Sequence, residues 1–171
     1  GMVEARDLTD YKVGMIEENI RRHELSNMTA VRMDAAIFNP ASEETADIVI
    51  ADLPCSGLGV MRKKTDIKYK MTPETEKELV CLQQKILDTV CRYVKSGGTL
   101  LYSTCTIDKM ENENNVEWFL KTHPEYELVR MQQIFPMDSY GDGFFLAKLK
   151  KTGSVRKESD GATDKETEWN N

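Results

Sequence analysis

The chain has 171 residues, 30% of them charged and 40% hydrophobic, with a formal net charge of −6. This reads as one soluble, globular domain with a sizeable core. The acidic balance argues against binding nucleic acid by bulk positive charge alone, and no apolar run approaches the roughly 20 residues that span a bilayer.

In chain order, VEARD at 3–7 reads as a short strand ending on Asp7. Residues 9–25 read as a helix, with Thr9 as N-cap and Val13, Ile16, Ile20 and Leu25 on one face. A second strand at 28–34 ends on Asp34. A third, ADIVIADL at 46–53, carries Asp52 at its end and is nearly all apolar, as expected of a strand covered on both faces. Residues 54–72 read as loop. A long helix is predicted over about 73–95, with Pro73 in its first turn and a stripe of Leu79, Leu82, Ile86, Val90 and Tyr93. Gly97-Gly98 breaks it. Strands follow at 99–104, 126–131 and 143–150, with a helix at about 109–121 between the first two. The end of the chain, 151–171, is almost without apolar residues and reads as a disordered tail after a domain at 1–150.

Strands alternating with helices predict a parallel α/β sheet with right-handed crossovers. Ligands of such sheets bind beyond the carboxyl ends of the strands. Asp7, Asp34, Asp52 and Cys105 all fall at or just past such ends and can converge on one crevice. The four cysteines form no C-x-x-C pair and only two histidines accompany them, so no metal site is expected. Nothing resembles a basic-plus-apolar leader, so disulfides are not expected and a cytoplasmic location is. Cys81 and Cys91 fit a helical core, and His23 and His123 fit surface or capping positions near helix ends.

Two thiols stand apart, in DLPCSGLG at 52–59 and in YSTCT at 102–106. Together these stretches resemble the two-cysteine signature of the Sun-type RNA (cytosine-5)-methyltransferases. The resemblance runs to about residue 150 and covers the C-terminal part of the catalytic domain. ARDLTDYKVGMIEENIRR, MDA, the segment 62–87, STCTIDKMENENNVEWFL and DGFFLAKLKK match successive family regions in order. It implies a Rossmann-like class I methyltransferase sheet, mostly parallel with an antiparallel last strand. It also implies S-adenosylmethionine as cofactor and RNA, small-subunit ribosomal RNA in the subfamily it most resembles, as substrate.

The chemistry suits these residue types. Carbon 5 of cytosine is a poor nucleophile, and a thiolate adding at carbon 6 makes it enamine-like. Cysteine is suited to that addition, being intrinsically nucleophilic with a reference pKa of about 8.5. An acid must engage N3 of the base, and Asp52, three residues before Cys55, fits by position. Mechanism alone leaves the two cysteines interchangeable, and DNA cytosine-5 methyltransferases use a Pro-Cys nucleophile. The resemblance assigns the Thr-Cys cysteine, Cys105, as nucleophile and the Pro-Cys cysteine, Cys55, to product release. It places cofactor contacts at Asp7, Asp34 and Asp52. Arg62, Lys63 and Lys64, with Lys68, Tyr69 and Lys70 beyond, form a basic cluster suited to RNA phosphates.

The family's glycine-rich motif, with its lysine, precedes the strand ending at Asp7. Only GMVEA stands there in this chain, and Gly57-x-Gly59 does not replace it. By itself the chain is therefore expected to bind cofactor weakly and not to methylate RNA. The strands ending at Asp7 and Asp52 are expected to flank an unfilled position, closed by direct pairing or by a strand borrowed from a neighbouring copy. A non-catalytic RNA-binding or assembly module and a DNA cytosine-5 methyltransferase are the alternative readings.

Overall fold

A computed structural model of the chain describes residues 1–61, 72–136 and 141–153. Its strands are β1 (Val3–Asp7), β2 (Met28–Arg32), β3 (Ala46–Asp52), β4 (Val94–Thr104), β5 (Tyr126–Ile134) and β6 (Phe144–Lys151). The helices α1 (Asp10–Arg22), α2 (Pro73–Val90) and α3 (Glu113–Thr122) lie among them. Thr9 caps α1 by accepting the Lys12 N–H, and Thr72 and Thr75 form a reciprocal capping box ahead of Pro73. Both helix starts were legible in the residues.

The strands form two sheets. β1 and β2 pair in parallel, and a second sheet has the order β3-β4-β6-β5. β3 and β4 are parallel, while β6 runs antiparallel between β4 and β5. This is the expected α/β arrangement with its antiparallel final strand. β1 and β3 do not pair with each other among the described residues. Side chains join the two sheets instead. The Arg6 guanidinium lies 5.0 Å from the Tyr93 ring centroid, Tyr93 stacks on Phe38 at 5.7 Å, and Arg92 covers Phe38 at 3.5 Å. Arg6 Nη2 also donates to Ser42 Oγ at 2.7 Å.

The core fills one face of the second sheet. Leu100, Tyr102, Phe145, Ala147 and Leu149 pack there against Ile86, Leu87 and Val90 of α2 and Val116 and Phe119 of α3. The other face differs from expectation. Strand β3 was read as covered on both sides, yet Ile48 and Ile50 are 65% and 68% exposed. No described element packs over them. Burying such a side chain is worth about 1.5–3 kcal/mol, so this bare face leaves that stabilisation unrealised.

Other boundaries shift for local reasons. Helix α2 ends at Val90, and a 3₁₀ turn over Cys91–Tyr93 leads directly into β4. Its inward face is Gln83, Ile86, Leu87 and Val90, so Leu82 is 39% exposed and Cys81 is exposed. Cys91 is buried, as expected. His23 caps α1 on the surface, but His123, the C-cap of α3, is buried with Nε2 3.1 Å from Asp88 Oδ1. Lys151, assigned to the tail, is the last residue of β6. The rest of that tail from residue 154, and the basic cluster Arg62, Lys63 and Lys64 with Lys68 to Lys70, lie outside the described residues.

Candidate active site

Strand register explains why two cysteines far apart in the chain meet. Asp52 is paired with Ser103 at the adjacent, parallel ends of β3 and β4. Cys55 follows the first and Cys105 the second, so both leave the sheet at the same edge. Their sulfurs are 3.2 Å apart, within sulfur hydrogen-bond range. The Ser103 hydroxyl donates to Asp52 Oδ1 at 3.0 Å and ties the carboxylate to this edge. Asp52, Cys55 and Cys105 are thus gathered as expected. The carboxylate itself is exposed rather than dry.

The glycines after Cys55 close the loop. Gly57 has φ +73°, the left-handed region that glycine enters without steric cost. Gly59 donates its N–H to Cys105 O at 3.1 Å and accepts from Gly143 N at 2.8 Å. A Cβ at Gly59 would stand 2.2 Å from Gly143 O and 2.8 Å from Cys105 O. Only glycine lets the first cysteine loop press this closely on the second.

Burial raises the Cys55 pKa from 9.0 to about 12, helped by its hydrogen bond to Cys105. Cys55 therefore keeps its proton at neutral pH, and either sulfur can donate the hydrogen bond between them.

Cys91 is raised to about 12 for the same first reason, burial. Both groups have folded pKa values above the unfolded one. Their stabilising contribution is complete below pH ~9 and is lost as pH rises toward 12. Urea midpoints of the chain should fall over that window. The deficit of Cys91→Ala relative to wild type should shrink between pH 7.5 and 10.5, and a constant deficit would show that Cys91 does not contribute.

A separate pair of carboxylates sits on the first sheet. Asp7 Oδ1 accepts from Thr9 N at 3.2 Å, and Oδ2 lies 3.6 Å from Lys12 Nζ. Asp34 Oδ1 accepts from Ala36 N at 2.8 Å. Met33 N donates to Asp7 O at 2.9 Å, which holds the two strand ends side by side. Partly exposed carboxylates on neighbouring strand ends are acceptors suited to the hydroxyl and amino groups of a nucleoside. They fit that half of S-adenosylmethionine. No backbone pairing links this pair to the cysteine edge among the described residues.

Several buried polar residues were not anticipated. Gln83, Glu111, Asn112 and Asn115 have no exposed surface, and Ser56 and Thr106 bond to each other at 2.7 Å between the cysteine loops. For Glu111, Asn112 and Asn115 the trace in the sequence is the polar run KMENENN, two residues past STCT, where a helix start was expected.

The family model described as 16S rRNA methyltransferase RsmB/F matches residues 1–150. Ribosomal RNA small subunit methyltransferase F of Escherichia coli O157:H7 is 32% identical over 172 residues, 91% of this chain and 36% of that protein. The protein of the same name from Cronobacter sakazakii is 31% identical, with the same coverage. The chain thus spans about a third of the length of these relatives. Among solved structures, PH0851 superposes with a TM-score of 0.84 at 31% identity, covering 88% of this chain and 37% of that one. NSun6 from Pyrococcus horikoshii with SFG gives 0.75 at 26% identity, covering 90% and 42%.

Proposed function

The chain belongs to the 16S rRNA methyltransferase RsmB/F family, and on that premise we propose that it carries the reaction centre of an S-adenosylmethionine-dependent RNA (cytosine-5)-methyltransferase acting on small-subunit ribosomal RNA. The observation that carries this reading is the pair of sulfurs 3.2 Å apart at one sheet edge, beside Asp52. The names of the relatives, ribosomal RNA small subunit methyltransferase F, support the choice of RNA. The SFG named with NSun6 and the carboxylates of Asp7 and Asp34 support the choice of cofactor.

In the proposed reaction, the Cys105 thiolate uses one electron pair to form a bond to carbon 6 of the base. The ring electrons move toward carbon 5, and Asp52 engages N3 to accommodate the change. S-adenosylmethionine, when bound, would supply the electrophilic methyl group for carbon 5, the methyl–sulfur bonding pair staying on sulfur as S-adenosylhomocysteine leaves. The carbon 5 proton then leaves to solvent, its bonding pair restores the 5,6 double bond, and the carbon–sulfur bond breaks toward Cys105. The Cys55 proton, held next to that sulfur, is available to the departing thiolate. Asp7 and Asp34 bind the nucleoside part of the cofactor.

The test uses the full-length enzyme and small-subunit ribosomal RNA labelled with tritium at carbon 5 of its cytosines. Methyl incorporation should be matched one for one by tritium release. Methylation without release places the methyl group elsewhere and overturns the carbon 5 assignment. Equal activity on a DNA cytosine substrate would favour the DNA enzyme reading.

A further inference from the structure

Two adjacent residues, Glu111 and Asn112, reach in different directions from the segment before α3. Glu111 Oε2 accepts the Ser56 N–H at 2.9 Å, the peptide group directly after Cys55. It also accepts from Gln83 Nε2 at 2.7 Å. The same Gln83 nitrogen donates to Pro54 O at 2.9 Å, on the other side of Cys55. Backbone groups on both sides of Cys55 are therefore held by one side-chain pair. Asn112 holds the residues on both sides of the other thiol, one by its side chain and one by its backbone. Its Oδ1 accepts from Thr104 Oγ1 at 2.6 Å, and its Nδ2 donates to Thr106 O at 3.1 Å.

This cluster is anchored in the core. Asn115 Nδ2 donates to Gln83 Oε1 at 2.7 Å and to Glu111 O at 3.2 Å. The Tyr102 hydroxyl donates to Glu111 O. Glu111 is fully buried, and its Oε1 has no hydrogen-bond partner among the described residues. A buried carboxylate with one idle oxygen is costly. A purely structural carboxylate in such a place is readily replaced by an apolar side chain. What Glu111 contributes instead is one acceptor oxygen that draws in two N–H groups at once, from Ser56 and Gln83.

We propose that Glu111 and Asn112 are positioning residues for the two thiols, one for each cysteine loop, and that this dipeptide sets the separation of the sulfurs. Glu111 acts through Gln83 and the peptide groups around Cys55, and Asn112 acts through Thr104 and Thr106. Neither touches a sulfur in the contacts described. The catalytic roles of Cys55 and Cys105 rest on the reading above, but their placement does not. A measurement of the thiols themselves separates failure of this inference from failure of that reading.

The experiment is iodoacetamide alkylation of the full chain, with the rate at each cysteine read by peptide mass spectrometry. Exposed Cys81 is the internal standard. Alkylation proceeds through the thiolate and needs access. Glu111→Ala should free the Cys55 loop and speed Cys55 alkylation by about tenfold or more, the scale of one buried donor left without its acceptor. Asn112→Ala should speed Cys105 more than Cys55. Glu111→Gln keeps an acceptor oxygen in the same place and should retain the wild-type rates. Val116→Ala, a core cavity in α3 that leaves the Glu111 and Asn112 side chains in place, destabilises the fold but should leave both rates unchanged. Should Glu111→Ala not fold, Gln83→Leu takes its place and should speed Cys55 alone. Cys55 rates within twofold of wild type in the folded variants overturn the inference. So does a Glu111→Gln protein as altered as the alanine one, or an equal change in Val116→Ala.

Discussion

Replacing Cys105 with alanine in the full-length enzyme should remove methyl transfer, by at least about 10³-fold, together with every covalent protein–RNA adduct. The scale is that of deleting a nucleophile whose role no neighbour can assume. Cys55 is the one thiol near enough to substitute. It is poorly suited, because burial keeps it protonated, and only a thiolate adds to carbon 6. Loss of the Cys105 thiol also removes the hydrogen-bond partner that raises the Cys55 pKa, so some fall in that pKa is expected. That makes the variant a strict test of the assignment. If Cys105→Ala turns over like wild type, or still traps RNA covalently, the nucleophile is Cys55 and the enzyme works in the manner of the DNA cytosine-5 methyltransferases.

Much of this arrangement was legible in the residues, and the parts that were not share one cause. Acids at strand ends, Thr9 as a cap and Pro73 in a first turn report local backbone chemistry, and each structure element they mark is present. Apolar periodicity reports burial only where the buried residues are apolar. It placed Leu82 inward because it cannot see Gln83, a polar residue with no exposed surface that turns the face of α2 toward Pro54 and Glu111. It started α3 near Lys109, whereas the helix begins at Glu113 because Glu111 and Asn112 are committed to the cysteine loops. Strand β3 was read as doubly covered from its composition. Composition tells what a face requires and not whether the chain supplies it, and Ile48 and Ile50 stand uncovered. The pairing of the two thiols was implied by a resemblance. Its physical origin, the register of Asp52 with Ser103, appears only once the strands are aligned.

Replacing Cys55 with alanine should have the opposite signature. Addition and methyl transfer should proceed, and release should stall. Cys105 would form its bond to carbon 6 as before, since the Ser103–Asp52 contact and the loop of Thr104 and Thr106 do not depend on the Cys55 side chain. Elimination must then expel a thiolate into a half-buried site without the proton that Cys55 holds 3.2 Å away. General acid assistance of this kind is worth roughly 10²–10⁴-fold, so multiple turnover should drop by about 10²-fold while the single-turnover rate of adduct formation stays close to wild type. The methylated intermediate should accumulate as a protein–RNA complex that survives denaturing electrophoresis, visible with labelled RNA and with labelled methyl donor alike. The two labels matter. RNA without methyl in the trapped complex would mean that Cys55 acts before transfer. A Cys55→Ala enzyme that traps nothing, while Cys105→Ala does, would reverse the two roles.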